Sequence, residues 1–324
     1  MRTITLEEHF ASPGFVEGPG SSLKEYAKNP DHPLSKVLPA LSNLGAERIA
    51  AMDAASVDVQ VLSLTAPGVE QLDPAESVAL AREANDFLGE AVRCYPKRFV
   101  GLAALPSATP SAAVSELERT VRQYGFKGAV INGHIKGRYL DDQFFWPILE
   151  CADALKIPIQ LHPTPPPKAV IEASYGGFPP MIKGMMAGAG WGWHIETATH
   201  VLRIILGGVF DRFPNLQFLI GHLGETLPFM LPRFDAQFTP VRTKLKRPIS
   251  EYLRENVHYS FSGFNYLPSF LNLLLHIGVD RIMFSIDHPY QSMAKAHEFL
   301  NQLPVSATDK ERIAHGNAER LLGI

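Results

Sequence analysis

Five residues with metal-binding side chains are scattered along this chain: Glu7, His9, His162, His222 and Asp287. They sit at the ends of short apolar runs that read as strands. Ile4-Thr5-Leu6 precedes Glu7, Ile157-Pro158-Ile159-Gln160-Leu161 precedes His162, Phe218-Leu219-Ile220-Gly221 precedes His222, and Met283-Phe284-Ser285-Ile286 precedes Asp287. Carboxylate and imidazole bind a catalytic divalent ion while leaving a position open for substrate. Residues i and i+2 of a strand face the same side, so Glu7 and His9 can share one ion while Glu8 points away. A lone histidine at the mouth of an apolar strand is more often a satisfied hydrogen-bonder than a ligand. A carboxylate such as Asp287, however, costs free energy at an apolar strand end unless it is paired or metal-bound. The same residue types at the same end of strands one, five, six and eight predict one shared divalent-metal site. Glu225, three residues beyond His222, is placed to accept the ring N–H and so fix its tautomer and orientation.

Residues so far apart in sequence meet only if the strands share one end. Eight strand candidates can be counted, at 4–6, 57–64, 99–104, 128–131, 157–161, 216–220, 257–261 and 282–285, with helical segments between most of them. Alternation of strand and helix argues for parallel βα units, and eight strands close a small parallel barrel. In such a barrel all the βα loops open on one face. Asp73-Pro74 opens a helix running to Cys94, and Thr109-Pro110 opens another that Gly125 ends. The expected architecture is an α/β fold, a (β/α)8 TIM barrel forming one domain over 1–324. Two stretches exceed a minimal barrel: 11–43, rich in Pro, Gly and Ser, and 164–192, which begins Thr-Pro-Pro-Pro. They read as long lid loops after strands one and five, and loops of that length usually carry function.

Composition excludes several classes. The 324 residues are 46% hydrophobic and 19% charged, with a net charge of −3, which offers no electrostatic case for nucleic acid or an anionic membrane. Arg242, Lys244, Lys246 and Arg247 form the one basic cluster, in a polar stretch that reads as solvated surface. Cys94 and Cys151 have no CxxC spacing and read as reduced, partly buried thiols of a cytoplasmic protein. No run approaches the ~18 apolar residues that span a bilayer.

Leu6-Glu7-Glu8-His9-Phe10, His162-Pro163, Gly221-His222-Leu223-Gly224-Glu225 and Ser285-Ile286-Asp287 resemble the amidohydrolase-related aromatic decarboxylases. The similarity includes Glu196-Thr197-Ala198-Thr199-His200 and the Asn317-Ala318-Glu319-Arg320-Leu321 ending, and so covers essentially the whole chain. The nearest likeness is to the decarboxylases of γ-resorcylate, 2,3-dihydroxybenzoate and 5-carboxyvanillate. The Glu-x-His opening is the specific element, since hydrolytic members usually open His-x-His. The resemblance implies a mononuclear Zn2+ or Mn2+ held by Glu7, His9, His162 and Asp287, with His222 at or beside the metal. It implies a small aromatic carboxylic acid as substrate and a homodimer or homotetramer. It makes Asp287 the proton donor to carbon, with His222 as second candidate and Glu225 orienting His222. Ile286 stands where Thr is frequent in the family, and His288 where Tyr or Trp is frequent; both bear on the choice of substrate.

Three further residues are candidates for substrate binding. Arg233, eleven residues after His222, is expected to pair with the substrate carboxylate, the alternative being a surface ion pair with Asp235. Trp191 and Trp193 lie in the Gly-rich lid and are expected to wall an aromatic ring, ordinary lid packing being the alternative. The main rival function is a metal-dependent hydrolase of a lactone or amide on the same barrel. Against it, the fourth strand ends Val130-Ile131-Asn132 with no lysine aligned for a bridging carbamate. An anionic ligand also makes metal-bound water less acidic. A muconate-semialdehyde decarboxylase is the second rival, and a non-enzymatic binding module the third.

Overall fold

The computed structural model describes residues 1–32 and 34–324, and its centre is one eight-stranded sheet in the order β1 to β8. The strands are β1 Ile4–Phe10, β2 Val59–Leu64, β3 Phe99–Ala104, β4 Gly128–Asn132, β5 Ile159–His162, β6 Phe218–Ile220, β7 Val257–Ser260 and β8 Ile282–Met283. Every neighbouring pair is parallel. A parallel bridge between Leu6 and Ser285, with the Leu6 N–H donating to the Phe284 carbonyl at 3.2 Å, joins the first strand to the last and closes the barrel.

Alternate residues fill the interior. Ile4, Leu6, Val59, Val61, Leu102, Val130, Leu219 and Met283 form one buried cluster, plugged at the N-terminal end by Ala318 and Leu322 of the last helix. The remaining strand faces belong to a larger cluster between sheet and helices, where the opposite parity packs outward. The Pro74–Cys94 helix shows how the outer layer is made. Proline occupies its first turn, and Ser77, Ala81, Ala84, Asn85, Leu88 and Ala91 are buried at helical spacing. Asn85 also gives and takes hydrogen bonds with the backbone of Ala104 (2.9 and 2.8 Å), pinning that helix to the end of β3. The Pro110–Tyr124 helix ends where expected, at Gly125 with φ +67°.

The extra segments do follow β1 and β5, but they are not irregular. The first holds short helices at Pro13–Glu17, Ser22–Ala27 and Val37–Ser42, the second helices at Lys168–Tyr175 and Pro180–Ala187. Proline at a first helical turn, as at Pro13 and Pro180, starts a helix as readily as it ends one, so punctuation divided these segments without unfolding them. Cys151 is partly buried as expected, whereas Cys94, the last residue of its helix, is exposed. Among the described residues no helix is long and apolar enough to cross a membrane.

Candidate metal centre and active site

β1 reaches the site through a bulge. Thr5 pairs with Gln60 but Glu8 pairs with Leu62, so β1 carries one residue more than β2 over that span. Glu7 takes the surplus at φ +64°, a conformation that costs a non-glycine residue on the order of 1–3 kcal/mol. Simple alternation from Ile4 and Leu6 would turn Glu8 inward. The bulge switches the parity, and Glu7 and His9 face the interior instead.

Around them the expected residues converge. His9 Nε2 is 3.2 Å from Asp287 Oδ1, His162 Nε2 is 3.7 Å from Glu7 Oε1, and His222 Nδ1 is 3.9 Å from the same Glu7 oxygen. The His9 and His162 rings meet edge-on with centroids 4.8 Å apart. Glu7 Oε2 is saturated by the hydroxyls of Ser260 and Ser262, while His9 Nδ1 is 3.3 Å from Ser63 Oγ. That leaves Glu7 Oε1 and His9 Nε2 buried with no hydrogen-bond partner among the described residues. A Cβ built on Gly221 would come within 2.5 Å of the Glu7 carboxylate, so only glycine lets β6 close over it. Burial, with Asp287 adding to it, raises the Glu7 pKa above the usual carboxylate range within the protein alone. Burial, with the neighbouring imidazoles, holds His162 well below its ordinary value, so its ring is neutral and offers a lone pair.

Glu225 adjoins this cluster, with one oxygen 2.7 Å from His222 Nδ1 and the other 2.5 Å from His194 Nδ1. Ligand atoms of His194, His222 and Glu225 all lie within 4.8 Å of one another, a buried His/His/Glu group. Burial pulls the His222 pKa down, but the Glu225 carboxylate with Glu7 and Asp287 outweighs it and lifts the ring to about 10. Burial raises and the two imidazoles lower Glu225, with a net depression.

The cluster opens into a cavity of about 720 Å³ whose wall includes His162, His222, Asp287, Trp193, Phe264 and Tyr290. Trp193 stands where a ring-walling residue is expected, 6.4 Å between centroids from His162. Trp191 does not: it is 47% exposed and absent from the cavity wall, because it precedes the Gly192–Leu206 helix and points outward. Arg233 is likewise outside. Leu227, Leu231 and Phe234 bury one face of the Leu227–Gln237 helix, and Arg233 lies exposed on the other, while Asp235 accepts from the Ser250 N–H at 2.9 Å. Lys136 is exposed and paired with Asp73 at the surface.

Several contributors carry no mark in the sequence. Ser260 and Ser262 share the period-two spacing of a strand end, a signal too common to read. His194 lies just past the lid stretch, in the first turn of the Gly192–Leu206 helix, with no partner spacing. Glu8 is the most informative omission. Its carboxylate accepts from the backbone N–H groups of Ile286 (2.9 Å) and His288 (3.1 Å), on either side of Asp287, which itself sits at φ +75°. Glu8 thus clamps the backbone that presents Asp287.

Known proteins match this chain over most of its length. The profile of the family described as Amidohydrolase matches residues 32–324. A γ-resorcylate decarboxylase of Polaromonas sp. is 34% identical over 98% of this chain and 97% of its own length. A solved dihydroxybenzoic acid decarboxylase from Polaromonas sp., with bound manganese and the inhibitor 2-nitroresorcinol, superposes with a TM-score of 0.90 at 34% identity, covering 99% of this chain and 97% of the other. A 5-carboxyvanillate decarboxylase from Novosphingobium aromaticivorans, complexed with manganese and 4-hydroxy-3-methoxy-5-nitrobenzoic acid, gives 0.92 at 34% identity, over 100% and 96% of the two chains.

Proposed function

The chain belongs to the amidohydrolase family, and from that membership and the site just described we propose a metal-dependent, non-oxidative decarboxylase of an ortho-hydroxybenzoate-type aromatic acid. The observation that carries the metal part is the pair of orphaned lone-pair atoms, Glu7 Oε1 and His9 Nε2, buried and facing His162 Nε2 and Asp287 Oδ1. Buried polar atoms without partners are rare in native proteins, and these two, with His162 Nε2 and Asp287 Oδ1 beside them, make four ligand atoms of the right types for one divalent ion. Glu7, His9, His162 and Asp287 are the proposed ligands, the ion being Zn2+ or Mn2+, with His222 beside them. In the neighbouring group, separations of 2.5 and 2.7 Å between imidazole nitrogens and Glu225 are those of N–H···O bonds, so His194, His222 and Glu225 are joined by hydrogen bonds rather than by the ion.

When bound, the ion supplies Lewis-acid stabilisation of the substrate's phenolate and a template for its orientation. Direct loss of CO2 would leave an in-plane aryl anion that the π system cannot stabilise. Protonating the ring carbon that bears the carboxylate avoids this. The ring becomes a dienone, the C–C bond then breaks, and its electron pair returns to the ring as aromaticity is restored. Asp287, reaching the cavity with 14% of its side chain exposed, is the proposed proton donor to that carbon. His222, held by Glu225, is the second candidate. Trp193, Phe264 and Tyr290 wall the ring and keep bulk water from the developing dienone.

The test is CO2 release across a hydroxybenzoate panel, with metal analysis of the same preparation. About one divalent ion per chain is expected. A 2-hydroxybenzoate should react while benzoate and 4-hydroxybenzoate stay inert, because only the ortho hydroxyl allows chelation together with the carboxylate. Equal turnover of 4-hydroxybenzoate, or full activity without metal, would contradict the reading. A new acid formed from a lactone or amide, with no CO2, would point to the hydrolase.

A further inference from the structure

One buried side chain beside the site has both polar atoms engaged and no part in the reaction as drawn above. His194 lies in the first turn of the Gly192–Leu206 helix and is 8% exposed. Its Nδ1 is 2.5 Å from Glu225 Oε2, and its Nε2 is 3.0 Å from the carbonyl oxygen of Ala189. A carbonyl only accepts, so Nε2 carries a hydrogen. Glu225 therefore has an imidazole on each oxygen, His194 on one and His222 on the other. The two rings meet edge-on at 4.8 Å, and each is also edge-on to Phe264, at 5.2 and 5.3 Å. A carboxylate held at one oxygen can still turn about its Cγ–Cδ bond. Held at both, it has a fixed plane, and so does the His222 ring that depends on it. Ala189, at the other end of His194, lies in the turn between the Pro180–Ala187 and Gly192–Leu206 helices and forms part of the cavity wall.

We propose that His194 is a positioning residue: by holding Glu225 and the Ala189 carbonyl at once, it fixes the His222 ring toward the cavity and ties that ring to the segment that covers the substrate. The function of the two nitrogens can be separated. An asparagine amide nitrogen falls near the Nδ1 position and a glutamine amide nitrogen near Nε2.

The experiment compares His194→Ala, His194→Asn and His194→Gln, each checked for fold by circular dichroism and for metal content. Partners that orient a catalytic histidine are typically worth about 10–100-fold, so kcat should fall about 10-fold or more in His194→Ala. His194→Asn should recover most of kcat by restoring the bond to Glu225, yet keep a raised KM because the Ala189 tie is gone. His194→Gln should recover none of kcat. Unchanged kcat in a folded His194→Ala, or a His194→Asn no better than alanine, would overturn the proposal. This kinetic arm rests on the decarboxylase reading. A second arm does not: the low-field imidazole N–H proton resonance of His222 should broaden or shift upfield in His194→Ala and return in His194→Asn. A His222 resonance untouched by both substitutions would overturn the proposal whatever reaction the enzyme catalyses, whereas absence of CO2 from wild type would count against the decarboxylase alone.

Discussion

The two ends of this barrel are built from the same strands on opposite terms. At the C-terminal end, Glu7, His222, Leu223, Glu225, Thr226, Ser262 and Asp287 all have positive φ, and buried oxygen and nitrogen atoms go unpaired. At the N-terminal end, side chains answer the backbone carbonyls of the loops, although Nδ1 of His258 stays without a partner. Asn256 donates to the carbonyls of Pro214 and Leu216, Arg98 donates to those of Val57 and Asp58, and Asn317 donates to those of Val279 and Ile282. Histidines show the contrast most directly. His222 is surrounded by carboxylates, whereas His258 Nε2 accepts from Arg281 at 2.8 Å, and burial, with Arg281 and Arg320, pushes its pKa down to about 3. Strained residues gather around the site at one end, whereas side chains tie down the loop carbonyls at the other.

If that division is right, substitutions at the two ends should separate activity from stability. The largest effect is expected at Asp287. Asp287→Asn removes both a proposed ligand and the proposed acid, and since a general acid is typically worth about 10²–10⁴-fold, kcat should fall at least that far while Tm holds or rises. Deuterium from the solvent should appear at the former carboxylate carbon in the wild type. A metal-replete Asp287→Asn enzyme with near-normal kcat would move the acid role to His222.

Glu8 comes next and lies on the border between the two terms. It touches no proposed substrate position, yet it holds the amides on either side of Asp287. Glu8→Gln puts an amide N–H against one of those N–H groups, and displacing the acid by even an ångström can cost about 10²-fold. A loss of about 10- to 100-fold in kcat with metal content unchanged is expected. Loss of metal in proportion to activity would make Glu8 part of the metal scaffold instead.

The N-terminal end should respond in the opposite sense. Asn256→Ala leaves the carbonyls of Pro214 and Leu216 without their donor, a loss of about 1–3 kcal/mol in unfolding free energy, with kcat within about twofold of wild type. A large change in kcat with unchanged Tm would erase the distinction between the ends. The smallest effect concerns pH. His258 is neutral in the fold with a pKa near 3, against 6.5 when unfolded, so the unfolded chain takes up the extra proton first. Its contribution is complete above pH 6.5 and is lost as pH falls from there toward 3. His258→Gln should therefore flatten the decline of Tm over that window, only in part, because buried His200 is pushed to about 3 in the same way. An acid profile identical to wild type would remove His258 from the account.

Much of this molecule could be read before any coordinate. Residue types at strand ends pointed to one metal site because carboxylate and imidazole are seldom placed after apolar runs without a reason. Alternation of strand and helix gave the barrel, and capping residues gave helix limits such as Pro74 and Gly125 to within a residue. Arg233 and Trp191 were misplaced for a simple reason. Sequence distance from His222 does not say which helix face Arg233 occupies, and membership of a lid does not say which way Trp191 turns; both side chains are exposed.

What the sequence by itself determined was chemistry and connectivity: which side chains can bind a metal, and that eight parallel strands bring their ends together. What only the tertiary structure decided was orientation. From Ile4 and Leu6 in the barrel core, alternation alone would have turned Glu8 toward the site. The extra residue in β1 reversed this, sending Glu7 and His9 inward and leaving Glu8 to brace Asp287 from behind. A bulge is fixed by the register of a neighbouring strand some fifty residues away, here Gln60 and Leu62. Sequence spacing within β1 contains no information about that register, because it arises only when the two strands pair.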